Sequence, residues 1–500
     1  MEIKIQIEIV PYTERVVRES FRVPCELSGI HISVKNPADF PLAGFLAILD
    51  EAGNLRLQKM IAYGEQELGI GEKPQDNTIG AVPGRVNVGE WTLLFGNLFT
   101  DWDTYKGVLP AVVEIVITDE RLSLTEPMEV LWMTQPDGVR MRNTFFDWDK
   151  IYRTGDGWYM GDFHTHTRLS DGKETVRNAM KKAVDQEMDF YVPTEHNLVH
   201  TGWTQTQLCI IPGVEITLPL GHFNLLGITE RPSLLNEIIM TSSEEEMRRY
   251  MLDTITEANE KGWLVSVNHP FLHIWKWHLD EVELSRVQCM EIVNDPTYNY
   301  AVESNDKAIS FLDTLWEDGH RIVGIGGSDS HNLITERYPG AVEPSVAGDP
   351  GTYVYCGELS PRKVLEATRA GHAVVTRHCR ILPRIYGEKK EYLPGDEVTE
   401  GRITLDLTIL DAEEKPVVYL VGNTESGRFE KRSLPVEKTE EGYFHVSYSI
   451  TMRQQVWSWA RMEVRDRKGA FMGYVNPVYA GRKQPQHRTF GEMKHMWGLD

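Results

Sequence analysis

The chain has 500 residues, 41% hydrophobic and 25% charged, a globular balance that excludes a disordered or collagen-like protein. At roughly 150 residues per domain, about three domains are expected. A net charge of −22 repels phosphate polymers and anionic lipid, so neither nucleic acid nor a membrane is expected as a partner, and no apolar run approaches the ~18 residues of a membrane span.

Residues 1–150 read as a β-sandwich domain. Ile3, Ile5, Ile7 and Ile9 alternate with polar residues and share one strand face. Phe45–Leu49 and Ala111–Ile117 are further strands, separated by loops that contain Gly and Pro. The alternating N-terminus lacks the apolar block of a signal peptide. Cys25, Cys209, Cys289, Cys356 and Cys379 are scattered, with no CxxC, which fits free thiols in a reducing compartment. A cytoplasmic protein is the expectation.

Residues 151–383 change to α/β character. Val176, Ala179, Met180, Ala183 and Val184 give the spacing of a helix with one apolar face. Met247, Tyr250, Met251, Thr254, Ile255 and Ala258 give a second, and Ala308, Phe311, Leu312 and Leu315 a third. Short apolar strands follow the second and third, at Trp263–Val267 and Ile322–Ile325. Repeated β/α units predict a parallel sheet, open or closed into a barrel. Residues 384–480 return to alternation, as in Ile403, Leu405, Leu407 and Ile409, and predict an immunoglobulin-like sandwich. Residues 481–500 are polar and basic and read as a loose tail.

The central segment concentrates its chemistry at strand ends. His164 and His166 stand at i and i+2, so in a strand both imidazoles project from one face, a chelating pair for a divalent metal. Asp171 follows in the turn Ser170-Asp171-Gly172. Glu195-His196 ends Phe190–Thr194, Glu215 sits in Pro212-Gly213-Val214-Glu215, His222 opens Phe223–Leu226, His269 follows Val267, and Asp329 and His331 follow Ile325. In a β/α barrel the strand C-termini converge on one face. That many nitrogen and oxygen donors exceed the three or four one zinc needs, so two or three metals are expected, with Glu215 bridging. His200, His320 and His372 lack such placement and read as ordinary.

These segments resemble the polymerase and histidinol phosphatase (PHP) superfamily of metallohydrolases over about residues 158–380. The resemblance is carried by Gly161-Asp162-Phe163-His164-Thr165-His166, Ser170-Asp171-Gly172, Thr194-Glu195-His196-Asn197, Pro212-Gly213-Val214-Glu215, Asn268-His269-Pro270 and Gly326-Gly327-Ser328-Asp329-Ser330-His331. Trp275-Lys276-Trp277, Glu291-Ile292-Val293-Asn294, Leu359-Ser360-Pro361 through Ala370-Gly371-His372, and Tyr474-Val475-Asn476-Pro477 are similar to the CehA/McbA-like branch, which includes carbaryl hydrolase. The resemblance implies a distorted seven-stranded β/α barrel holding two or three zinc, manganese or iron ions. It assigns His164, His166, Glu215 and Asp329 to one metal, Glu215, His222 and His269 to a second, and Asp171, His196 and His331 to a third. The usual Thr-Asp-His is Thr194-Glu195-His196 here, with Glu195 expected to support a ligand.

Clustered cations lower the pKa of bound water, so hydrolysis by a metal hydroxide is the expected chemistry, with Glu215 or Asp329 orienting the water. A small phosphate mono- or diester is the first substrate expected, with Arg168 as its cationic partner and Arg377 and Lys276 as further candidates. A carboxylic-ester or carbamate hydrolase is the second reading, with Trp203, Trp275 and Trp277 as an aromatic wall and His273 or His278 protonating a leaving group. A binding module with a vestigial metal site is the third. Two roles are open for the β-rich flanks: shaping the mouth of the barrel, or joining copies as a homo-oligomer.

Overall fold

The computed structural model describes residues 1–9, 16–35, 44–62, 65–97, 111–133, 137–424 and 427–498. Its N-terminal part is two facing antiparallel sheets of four strands. One is ordered Glu2–Ile9, Ala111–Thr118, Gly29–Lys35, Glu65–Gly71; the other Val16–Val23, Gly89–Asn97, Gly44–Leu49, Leu55–Ile61. The alternation seen in the sequence has this cause: Ile32, Val34, Ile115 and Ile117 from one sheet meet Leu46, Ile48, Leu57 and Leu93 from the other in a shared core.

The central helices form where the apolar spacing predicts them. Val176–Asp185 buries Val176, Ala179, Met180 and Ala183, and the Thr175 hydroxyl accepts the Asn178 N–H at its start. Glu244–Lys261 carries three glutamates in its first turn, where they complement the positive end of the helix. It stops at Gly262, whose φ of +75° suits a residue without a Cβ. Ala301–Asp318 buries Ala308, Phe311, Leu312 and Leu315.

The sheet between these helices differs from the expected parallel one: it is mixed. Arg153–Thr165 pairs in parallel with Phe190–Pro193, and Leu264–Val267, Cys289–Asn294 and Val323–Gly327 run parallel to one another. Gly213–Leu218 and Gly221–Leu226, however, form an antiparallel hairpin. Only Pro219 and Leu220 separate these strands, far short of the dozen residues a parallel crossover needs. Nor, among the described residues, do the strand ladders close into a seven-stranded barrel. The hairpin and the three parallel strands make one five-stranded sheet, while Arg153–Thr165 and Phe190–Pro193 belong to another of ten. The two sheets meet at single bridges, Thr165 with Ser330 and His196 with Glu215. Both bridges fall at or beside the expected ligands.

The ten-stranded sheet also runs into the C-terminal part. Ala373–Thr376 pairs with Phe471–Val475, which continues through Ser458–Arg465 to Val417–Gly422 and Glu430–Leu434. A second sheet, built on Arg380–Tyr386, Arg402–Leu410 and Phe444–Thr451, faces it across a common core. The C-terminal part is thus two-layered, but one layer is shared with the central α/β part, and the strand Arg380–Tyr386 runs across residue 383.

The expected loose tail is in fact docked. Phe490–Met496 is a helix with a Thr489/Glu492 capping box. It buries Phe490 and Met493 against Phe311 and Trp277. Two apolar residues three apart suffice for this, and the polar composition around them concealed it. Residues 499–500 lie outside the described residues. Among the described residues, no helix is long and apolar enough to cross a membrane.

Candidate metal centre

His164 and His166 leave the end of the Arg153–Thr165 strand on one face, because Thr165 between them turns away and donates to the Val192 carbonyl. The remaining donors come from the ends of neighbouring strands and meet them. His164 and His269 ring centres are 6.0 Å apart, His166 and His331 4.1 Å, His196 and His331 5.4 Å, and His222 and His269 4.9 Å.

Three groups of donors result, each with its ligand atoms within 4.8 Å of one another. They are His164, His166 and Glu215; Glu215, His222 and His269; and His166, Asp171, His196 and His331. Glu215 belongs to two groups, as expected for a bridge, and His166 also belongs to two. Asp329 stands outside these sets. Its Oδ1 is 3.0 Å from His166 Nε2 and 3.3 Å from His164 Nε2, so it closes the first group from the side.

The donor atoms fit divalent cations better than they fit each other. His164 Nε2 and His166 Nε2 lie 3.1 Å apart, and His196 Nε2 and His331 Nε2 lie 3.3 Å apart. Asp171 Oδ1 is 3.4 Å from both of the latter nitrogens. Asp171 Oδ1 and Asp329 Oδ1 are buried with no hydrogen-bond partner. Buried charges persist when they are paired or bind metal, and mixed imidazole and carboxylate donors suit zinc, iron or manganese.

Electrostatics agree. Burial disfavours the charged form of Glu215, yet His164, His196 and His222 outweigh it and hold the carboxyl well below the usual range. Burial is likewise overcome at Asp329, which His164, His166 and His331 hold low. Asp171 raises His331 to about 10 against the effect of burial, whereas burial, His331 and His196 push His166 down to about 4. Any metal held by this cluster would therefore compete with protons for it.

The candidate ligands are oriented from behind. Glu291 Oε1 lies 2.7 Å from His164 Nδ1, leaving Nε2 to face the centre, and Glu291 Oε2 accepts the His269 N–H at 3.0 Å. Asn268 donates to Glu215 Oε1 at 2.9 Å, and the Thr217 hydroxyl donates to Oε2 at 3.1 Å. His269 and Asp329 hold φ of +27° and +50°, costly values for residues with a Cβ. Glu195 takes a role other than direct support of a ligand. It accepts from the N–H and hydroxyl of both Thr167 and Ser170, and so pins the loop that carries Asp171. His200, which read as ordinary, is 3.3 Å from that carboxylate.

Glu291 had no assigned role in the sequence. It lies in a strand buried on both faces, where no alternation shows which side chains turn inward. His164, the His269 N–H and the Asn294 amide all donate to it, so replacing it with Gln leaves at least one of the three facing an amide NH₂. Metal affinity should fall about 10- to 100-fold, measured by titration of the metal-free protein; unchanged affinity would remove Glu291 from this role.

Above the centre opens a cavity of about 640 Å³. Its wall includes Ile238, Ile239, Ile274, Trp275, Tyr298 and Met60, the last contributed by the N-terminal sandwich. Among the described residues that line it, none is Lys or Arg. Arg168 does not line it and lies in the field of Lys59 and Glu126. Arg377 is engaged by Asp349 and Glu343 instead, and Lys276 is not on the wall. Trp203 is buried and stacked on Trp132 at 5.6 Å, and Trp277 is buried against Gly221; of the three tryptophans only Trp275 reaches the cavity.

No protein-family model matches the chain, and no curated protein is similar to it at a significant level. Among solved structures, an amidohydrolase from Chromobacterium violaceum, with bound sulfate and no metal, is similar over 37% of this chain and 93% of its own, at 14% identity and a TM-score of 0.23. A protein from Bifidobacterium adolescentis, provisionally assigned as a metal-dependent phosphoesterase, is similar over 38% of this chain and 92% of its own, at 13% identity and a TM-score of 0.25.

Proposed function

We propose that this protein is a metal-dependent hydrolase of the PHP type. One observation carries the reading: three donor groups, joined through Glu215 and His166, lie at the floor of a cavity large enough for a small molecule. His164, His166, Asp171, His196, Glu215, His222, His269 and His331 would hold the ions, with Asp329 beside the first group. When bound, such ions supply Lewis acidity and lower the pKa of water towards neutrality.

The residues around the ions have distinct tasks. Glu291 fixes the tautomer of His164, while Asn268 and Thr217 hold the Glu215 carboxylate in place. Asp329, whose Oδ1 lies beside His164 and His166, is placed to orient a water. The apolar and aromatic wall excludes bulk solvent and receives an apolar part of the substrate.

The composition of that wall favours a carboxylic ester or carbamate over a phosphate ester. A phosphate monoester carries charge beyond what it shares with the ions, and no Lys or Arg among the described lining residues answers it. Arg168 therefore receives no catalytic role in this reading. Metal analysis coupled to turnover of p-nitrophenyl acetate, p-nitrophenyl phosphate and its bis-ester tests both levels. Bound metal, with acetate cleavage lost to a chelator and restored by metal, is expected. Faster cleavage of the phosphates overturns the substrate class. A metal-free protein indifferent to chelators overturns the hydrolase reading and favours a binding module.

A further inference from the structure

Among the described residues, three carboxylates line the cavity: Asp171, Asp329 and Asp295. The first two face imidazoles of the metal centre. Asp295 belongs to none of the donor groups. Its Oδ2 accepts the Tyr338 hydroxyl at 2.6 Å and its Oδ1 the Thr297 hydroxyl at 3.0 Å.

The backbone makes an effort to present this side chain. Asp295 directly follows the Cys289–Asn294 strand and holds φ of +31°, a conformation costly for a residue with a Cβ. Its N–H bonds to the Gly327 carbonyl at 3.3 Å, at the end of the adjacent strand. Its neighbour Asn294 donates to Glu291 at 2.9 Å and to Asp329 at 3.4 Å. Asp295 is therefore locked to the metal-site framework without being one of its donors, and it is 6% exposed.

The histidines expected to protonate a leaving group stand elsewhere. His273 is stacked on Tyr300 at 4.6 Å, and His278 lines a separate depression with Glu244 and Arg248. Burial, the strongest influence, raises the Asp295 carboxyl to about 6, with Asp329 adding to the rise and the Tyr338 and Thr297 hydroxyls opposing it. A carboxylic acid in that range suits proton transfer near neutral pH.

We propose that Asp295 is a catalytic residue, the general acid that protonates the departing oxygen. This rests on the hydrolase reading of the site. The acyl carbon–oxygen bond breaks and its electron pair stays on the leaving oxygen. That oxygen takes the Asp295 proton and departs as an alcohol. The oxygen of a water forms the new bond to the acyl carbon. One proton of that water returns to Asp295 and the other remains with the acid product, so the cycle closes without a further reactant. Tyr338 and Thr297 are positioning residues for the carboxyl.

The test is a leaving-group series of acetate esters, from p-nitrophenyl through phenyl to ethyl, with wild type and Asp295→Asn at matched metal content. A good leaving group needs no proton and a poor one does. The variant should lose about 100- to 1,000-fold in kcat/KM on the ethyl ester and almost nothing on the p-nitrophenyl ester. A uniform loss across the series overturns the assignment while leaving the hydrolase reading intact. Should that variant misfold, Asp295→Ser with added formate gives the second measurement. Ethyl-ester turnover rising with formate is expected, and a flat response overturns the proposal. A metal-loaded wild type inactive on every ester overturns the ester reading and this assignment with it.

Discussion

Glu215→Gln is expected to lower kcat/KM by about three orders of magnitude, the several kcal/mol that correctly held ions supply to a transition state, and to lower the metal content with it. The substitution removes one charge and almost no volume. Glu215 is fully buried, its Oε1 is 3.3 Å from His164 Nε2 and 3.2 Å from His222 Nδ1, and its Oε2 is 2.6 Å from His196 Nδ1. One carboxylate thus serves imidazoles from three separate strands or strand ends. A glutamine presents a single acceptor oxygen and turns an NH₂ towards ligand nitrogens or a cation on its other side. Both donor groups that contain position 215 weaken together, whereas the His166, Asp171, His196 and His331 group keeps its own donors. Metal analysis should therefore show a partial loss of bound ions, alongside an unfolding midpoint close to wild type. A Gln variant with wild-type metal content and turnover would mean that the bridge is not where the chemistry depends on it.

The site was more legible in the sequence than the sheet that builds it. The positions of the candidate donors follow from local rules. His164 and His166 share a face because the side-chain period of a strand is two, and the other donors stand just past short apolar runs. Local rules do not report which strands pair. The hairpin of Gly213–Leu218 and Gly221–Leu226 reads as the same kind of apolar segment as a parallel strand, and only the two-residue connection at Pro219 and Leu220 betrays it. The pairing of Phe471–Val475 with Ala373–Thr376 joins residues about a hundred positions apart, and no spacing within either strand announces it. Asp295 escaped for a related reason. Its role depends on a backbone value of +31° and on Tyr338 from a distant loop, neither of which leaves a periodic trace.

The shared sheet also makes the C-terminal part a structural member of the unit that carries the donor cluster, and Arg461 is where this is most exposed to experiment. Arg461 is 1% exposed and lies on Ser458–Arg465, in the strand layer common to both parts. Its guanidinium donates to both oxygens of Asp313 at 2.6 and 2.7 Å and to Glu463 at 2.8 Å, and it stacks over the Tyr474 ring at 4.4 Å. Asp313 belongs to the Ala301–Asp318 helix of the central α/β part. Burial already raises the Asp313 carboxyl above its ordinary range, and Arg461 is the first influence opposing that. Arg461→Met fills most of the space but strands Asp313 without its partner, while Glu463 keeps Arg465 and Lys431. Breaking a buried pair in this way costs about 3–5 kcal/mol, and denaturant unfolding at fixed metal concentration should show it. Adding Asp313→Leu removes the stranded charge as well, so the double variant should recover much of the loss, because the two changes act on one interaction. Loss of hydrolytic activity and loss of C-terminal structure should then coincide in one transition. An Arg461→Met protein with wild-type stability, or a C-terminal part that unfolds first while turnover persists, would show that the shared strands do not couple the two parts.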